Sequence, residues 1–244
     1  MGWATSGGEA IAGARTRVEL LYTMDERQQP EDDGEPTLEG CFAPDGTDLT
    51  LIQWFLERTP AERLQTAQSM VDFVAGARCT ADADLLSLIR ALHDHAVDFV
   101  VVGALAAVLE GAPIDPIDIQ VVYRANVANL ERLLAALSEL GATYRDPTGR
   151  AIRPDLNRLA TNGTNLLQTR IGVLDAMREI APGWRFGDLL ERSHPLRICG
   201  MDLRVLNLAS QIESSEAVAR SKDSALTFVL RDAMKMRERY GSPA

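Results

Sequence analysis

Two spacings of apolar side chains alternate along this chain, and together they predict helices interleaved with strands. Leu49, Leu51, Ile52, Trp54 and Phe55 follow Asp48, and Leu64, Ala67, Met70, Val71 and Val74 follow the Thr59-Pro60 step. Steps of three and four mark helices with one buried face. Asp48 can cap the first helix. Thr59 with Glu62 three residues on forms a capping box, and Pro60 suits the first helical position. Leu85, Leu86, Leu88, Ile89 and Leu92 predict a third amphipathic helix over 82–95.

From residue 97 the pattern tightens. The apolar run over 97–102 reads as a buried strand, a short helix follows over 104–110, and Gly111-Ala112-Pro113 makes a turn into a second strand over 117–123. Asn126 caps a helix that runs to about Leu140 and closes at Gly141. Strands are expected at 164–170 and 172–177, a short helix at 186–192, a hairpin about Gly200 from 196–199 and 203–205, and two last helices at 207–219 and 222–239. Strands mixed with helices throughout predict an α+β (mixed α/β) fold, a mixed sheet flanked by helices. The expected plan is a weakly ordered segment over 1–47, rich in Gly, Gln and Pro with an acidic run at 31–36, a helical extension over 48–80, and the main domain over 81–244.

Composition narrows the function classes. The net charge is −10 over 244 residues, and the acid excess sits in the first hundred, with 7 basic against 18 acidic side chains. General nucleic-acid binding needs clustered cations and is not expected. The apolar runs are too short to span a bilayer, and no basic-then-apolar signal opens the chain. Cys41, Cys79 and Cys199 are odd in number and widely spaced, which fits small buried hydrophobes in a reducing cytoplasm better than a disulfide or zinc framework. His93 and His95 stand two apart, on different faces of a helix, and read as surface residues rather than ligands. No Walker loop, G-x-G-x-x-G or G-x-S-x-G pattern is present.

The candidate chemistry lies in FVVVGALAAVLEGAPIDPIDIQVVY, residues 99–123. An apolar strand ends at Gly103-Ala104, and the next strand carries Asp118-Ile119-Gln120. Alternation along a strand puts 118 and 120 on one face. This segment resembles the core of the nucleotidyltransferase superfamily, of the minimal and abortive-infection kind. There a strand ends in Gly-Gly or Gly-Ser and the next shows Asp-x-Asp. The likeness continues through the Asn129–Leu137 helix ending at Leu140-Gly141-Ala142, a third carboxylate at Leu174-Asp175-Ala176, and the pair of elements Leu206–Ile212 and Arg220-Ser221-Lys222-Asp223. It covers about residues 84–240.

The resemblance implies a polymerase-beta-like fold and a site in which Asp118 and Asp175 hold Mg²⁺. Gly103 and Ala104, with Lys222 and Asp223, would then border a nucleoside triphosphate. Mg²⁺ takes hard anionic oxygens, and nucleotidyl transfer needs it to offset phosphate charge. The chain departs from the family at Gln120, where a neutral amide stands for the second carboxylate, and at Ala104, Ile114 and Ser215. Asp115 could stand in for the lost acid, but beside Pro116 it reads as a turn residue. Three readings stay open. One is a catalytically weak or inactive module that binds or regulates, in a bacterial toxin–antitoxin or defence setting with a protein partner. Another is a working Mg²⁺-dependent transferase acting on an RNA, protein or small-molecule acceptor. The third is a scaffold that self-associates, as a homodimer, through its N-terminal helices, Trp54 and Phe55 included.

Overall fold

The computed structural model describes residues 40–78, 84–218 and 225–241. They lie within one compact unit, 39–244. Most of the segment expected to be weakly ordered, 1–39, lies outside the described residues. Residues 40–47 form turns that end in the Phe42–Asp48 bridge.

The predicted caps set the helix starts. Asp48 Oδ1 accepts from the Thr50 and Leu51 amides at 2.9 and 3.1 Å, opening α1 (Leu49–Leu56). Glu62 accepts from the Thr59 amide at 2.8 Å, and the Glu62 amide reaches Thr59 Oγ1 at 3.3 Å, so the capping box opens α2 (Pro60–Arg78). Asp84 accepts from the Ser87 amide at 2.8 Å and begins α3 (Leu85–Asp94). Each carboxylate satisfies amides that the first helical turn leaves unpaired.

The sheet is built from β1 (Phe99–Val102), β2 (Ile119–Tyr123), β3 (Thr143–Tyr144), β4 (Thr164–Thr169), β5 (Gly172–Met177), β8 (Ser193–Ile198) and β9 (Met201–Leu206). Its order is β3-β4-β5-β2-β1-β9-β8. Strand β2 runs parallel to β5 and antiparallel to β1, while β1 runs parallel to β9. The sheet is therefore mixed, as the sequence predicts. A separate ribbon joins β6 (Glu179–Ile180) to β7 (Trp184–Arg185). All four residues of β1 are buried, which explains its unbroken apolar run.

Helices α4 (Gly103–Leu109), α5 (Val127–Glu139), α6 (Leu156–Ala160), α7 (Phe186–Leu190), α8 (Leu208–Val218) and α9 (Ala225–Tyr240) complete the order. Asn126 caps α5 through the Asn129 amide at 2.8 Å. Leu64 and Val71 of α2 share the core with the sheet strands, and Ile52 and Leu56 of α1 pack with Leu208, Leu230 and Ala233. The helices of 48–80 thus bury their apolar faces inside the main unit. Phe55 is fully buried, with Trp54 edge-on at 5.3 Å and Arg58 stacked 3.2 Å from the Trp54 ring centre. Phe55 is committed to its own core and cannot also serve as an outward anchor.

Three local expectations change. Strand β2 begins at Ile119 rather than 117, because Pro116 has no N–H to pair and Ile117 points to solvent at 72% exposure. The hairpin arms are longer than predicted, meeting at Ile198 and Met201. Cys199 is not a buried hydrophobe. It is exposed, and Cys199 and Gly200 take φ of 50° and 82°, the two left-handed positions of a tight two-residue turn. Among the described residues no helix is long and apolar enough to cross a membrane.

Candidate functional site

The site grows from the register of three strands. Val102, the last residue of β1, pairs with Gln120, and Gln120 pairs with Asp175 on β5. Gly103 follows Val102 and Asp118 stands just before β2. Asp118, Gln120, Asp175 and the glycine turn therefore meet at one edge of the sheet, the arrangement the sequence predicts.

Gly103 has φ of +67°, a conformation that an L side chain adopts at a cost. It is also closely covered. A Cβ there would stand 2.2 Å from Gln120 Oε1. The Gln120 amide thus lies directly against the turn, where the family template has phosphate approach. Its other end donates from Nε2 to Asp118 Oδ2 at 3.3 Å. Ala104, half-buried, is the second residue of α4 beside it.

Asp175 is 8% exposed and accepts a hydrogen bond from Arg145 Nη2, as half of an ion pair. Arg145 comes from the stretch just after β3, held by its amide on the Leu166 carbonyl at 3.0 Å. Burial pushes the Asp175 carboxyl above its ordinary pKa. Arg145 pulls it back, the charge of Asp118 raises it again, and the net direction is up. The pairing of Gln120 with Asp175 brings Asp118, two residues back along the chain, near that carboxylate, and like charges there repel.

Arg145 is the residue that sequence reading misses. It sits 30 positions from Asp175, in a stretch with no periodic signal, and only the β3–β4–β5 pairing carries it to the site. Lys222 and Asp223 lie outside the described residues, as does Cys79. Ser215 pairs with Thr227 through their hydroxyls at 2.8 Å. Ile114 packs against the small cluster of Phe55, Ala67 and Val108. Asp115 is exposed. His93 lies 3.3 Å from Asp94, and His95 lies 2.7 Å from Glu139 on α5.

A Mg²⁺ centre of the kind the resemblance implies asks for several anionic oxygens on one face. The donor set here is Asp118, the neutral Gln120 and an Asp175 already engaged by a guanidinium. Among the described residues no three His, Cys, Asp or Glu side chains gather in a metal-holding group. As arranged, these side chains do not fit a paired-metal centre.

No protein-family model matches the chain, and no characterised protein matches it in sequence. Solved structures are similar in fold. TM1012 of Thermotoga maritima, assigned as a nucleotidyltransferase, is 18% identical with a TM-score of 0.39, over 62% of this chain and 93% of its own. The antibiotic-resistance factor ANT(2'')-Ia is 13% identical with a TM-score of 0.38, over 64% of this chain and 88% of its own. An antigenic nucleotidyltransferase-like protein of Paracoccidioides brasiliensis is 13% identical with a TM-score of 0.34, over 71% of this chain and 76% of its own.

Proposed function

We propose that this chain is a nucleotidyltransferase-fold protein whose transfer centre is closed by its own side chains, and that it acts as a binding or regulatory module. The observation that carries this reading is a double occupancy. Arg145 holds the carboxylate of Asp175, and the Gln120 amide covers the Gly103 turn. A guanidinium supplies a fixed positive charge where the template needs a cation that can also bind phosphate oxygens and water. The pair satisfies the carboxylate but gives no open coordination position. The motif order along residues 84–240 supports the family. Its likeness to abortive-infection proteins supports a protein partner, as one half of a toxin–antitoxin or defence pair.

The test is a labelled-nucleotide transfer assay with all four triphosphates, Mg²⁺ or Mn²⁺, and a cell extract as the source of acceptors. No labelled acceptor is expected. Labelling that disappears in Asp118→Ala or Asp175→Ala would replace this reading with that of a working transferase.

A further inference from the structure

The opposite end of β2 carries a different chemistry. The strand leaves the sheet through Tyr123 into Arg124, and β5 ends beside it at Met177, followed by Arg178. Arg185 and α7 close the third side. Together they surround a cavity of about 520 Å³, in the size range of small-molecule sites. Six strand steps separate Asp118 from Arg124, roughly 20 Å at about 3.3 Å per residue. The cavity shares no residue with the Gly103 edge.

Its lining has two parts. Phe186 and Leu190 give an apolar wall. The Tyr123 hydroxyl is turned inward, donating to the Leu159 carbonyl at 2.8 Å and accepting from Asn165 Nδ2 at 3.1 Å. Around this wall stand three guanidinium groups, each fixed by limited contacts. Arg178 Nη1 donates to the Ala160 carbonyl at 2.5 Å. Arg185 Nε donates to Glu179 at 3.2 Å. Arg124 Nε lies 3.5 Å from Asp98, and its guanidinium stacks 4.8 Å from the Phe186 ring centre.

Among the described residues, the remaining guanidinium nitrogens of these three arginines meet no acceptor. The nearby carboxylates neutralise them only in part. Asp98 is shared with Arg132 at 3.0 Å, Glu179 serves Arg185, and Asp188 accepts from the Arg185 backbone amide at 2.8 Å. Among the described residues, the Arg178 guanidinium has only the Ala160 carbonyl as partner. Pre-oriented guanidinium forks beside an apolar wall suit an anion that carries a hydrophobic body. Phosphate oxygens match the fork in a bidentate way.

We propose that this cavity binds a small organic phosphate, with its apolar or aromatic body against Phe186 and Leu190 and its phosphate between Arg178 and Arg185. The experiment is calorimetric titration of the full chain with phenyl phosphate, inorganic phosphate, benzoate and benzyl alcohol at fixed salt. Phenyl phosphate is expected to saturate one site at least tenfold more tightly than inorganic phosphate or benzoate, with no saturable binding of benzyl alcohol. Arg185→Gln, at an exposed position, should weaken it tenfold or more. Arg178→Met should do the same, and its Tm checks that losing the Ala160 contact has not unfolded it. Arg197→Gln, on the exposed face of β8, removes equal charge elsewhere and should leave the affinity within twofold. Absence of phenyl phosphate binding overturns the proposal. Equal affinity for benzoate overturns the phosphate assignment, and an equal loss in Arg197→Gln shows diffuse charge attraction instead of a site.

Discussion

Glu110 and Asp175 are both largely shielded from water and both meet arginine, yet their environments push their protonation in opposite directions. Glu110 ends α4 at 2% exposure, with Arg237 Nη1 at 2.5 Å on one oxygen and His194 Nε2 at 3.0 Å on the other. Burial works against its charge, but the His194 hydrogen bond and the Arg237 charge outweigh it, so its pKa falls below the usual value. Arg63 stands close, its guanidinium donating to the Phe55, Leu56 and Leu109 carbonyls at 2.8, 3.1 and 2.6 Å. Asp175 has a single arginine and a like charge in Asp118, and its pKa rises. Glu110 belongs to a compensated joint that ties α1, α2, α4, β8 and α9 together. Asp175 keeps an unresolved charge conflict with Asp118, even with Arg145 in place.

The comparison breaks first at Glu110. Glu110→Gln removes the anion and leaves Arg63 and Arg237 facing each other without it. Removing one side of a buried ion pair costs about 3–5 kcal/mol. We expect roughly 3 kcal/mol, since the amide keeps one hydrogen bond, read as a drop in the urea midpoint with an unchanged slope. A loss under about 1 kcal/mol, the scale of an exposed pair, would make the joint an ornament of the surface.

Acid titration should separate the two carboxylates by sign. Glu110 has a depressed folded pKa, so its stabilisation is present above its ordinary 4.5 and is lost as the pH falls through the folded value. Asp175 has a raised folded pKa, so its ionisation lowers stability as the pH rises from its ordinary 3.8 through the folded value. Glu110→Gln should therefore flatten the fall in stability on acidification below 4.5, and Asp175→Asn should steepen the fall on acidification down to 3.8. Denaturation midpoints measured across pH 3–6 for both variants (about the range in which carboxyls titrate) check this, and two variants moving the same way would refute the contrast.

The two regions were unequally legible from sequence. The caps at Asp48, Thr59 and Asn126 are local, and all three form as read. The shared edge of Asp118, Gln120 and Gly103 follows from strand alternation and needs only the β1–β2 pairing. Its partners do not. Arg145 reaches Asp175 across 30 residues and Arg237 reaches Glu110 across 127, and nothing local foretells either contact. Elements as short as β3 and α6 carry too few residues to show a period, so the stretch that delivers Arg145 gives no sequence signal. Cys199 misleads because residue type favours burial, while the two-residue turn requires a left-handed backbone at the surface.

Sharpening the Asp175 side means changing which cation it meets. Gln120→Asp adds a hard anionic oxygen beside Asp118, and Arg145→Met frees the Asp175 carboxylate. The double variant should bind Mg²⁺ at least tenfold more tightly than the unaltered chain, about 1.4 kcal/mol, measured by calorimetry. Each single change should give less than the pair, because either one leaves an obstacle in place. Full recovery from Gln120→Asp alone would mean that Arg145 moves aside readily and does not hold the site closed.

The smallest effect tests whether Gln120 truly seals the turn. At Gly103 an added methyl meets two costs: a left-handed backbone, on the order of 1 kcal/mol, and the Gln120 oxygen 2.2 Å from the new Cβ. Gly103→Ala should therefore destabilise by about 2 kcal/mol. Gln120→Ala removes the side chain that blocks the space and should cost little, since Gln120 is half-buried and its one side-chain hydrogen bond among the described residues, to Asp118, is long at 3.3 Å. In the double variant the backbone cost stays and the clash goes, so the pair should be more stable than the sum of the singles by about 1 kcal/mol. Urea unfolding of the four proteins closes the cycle. A coupling near zero means that Gln120 swings away from Gly103 at little cost. In that case the turn is open to a phosphate, and the contrast between a closed site and a compensated joint rests on Arg145 alone.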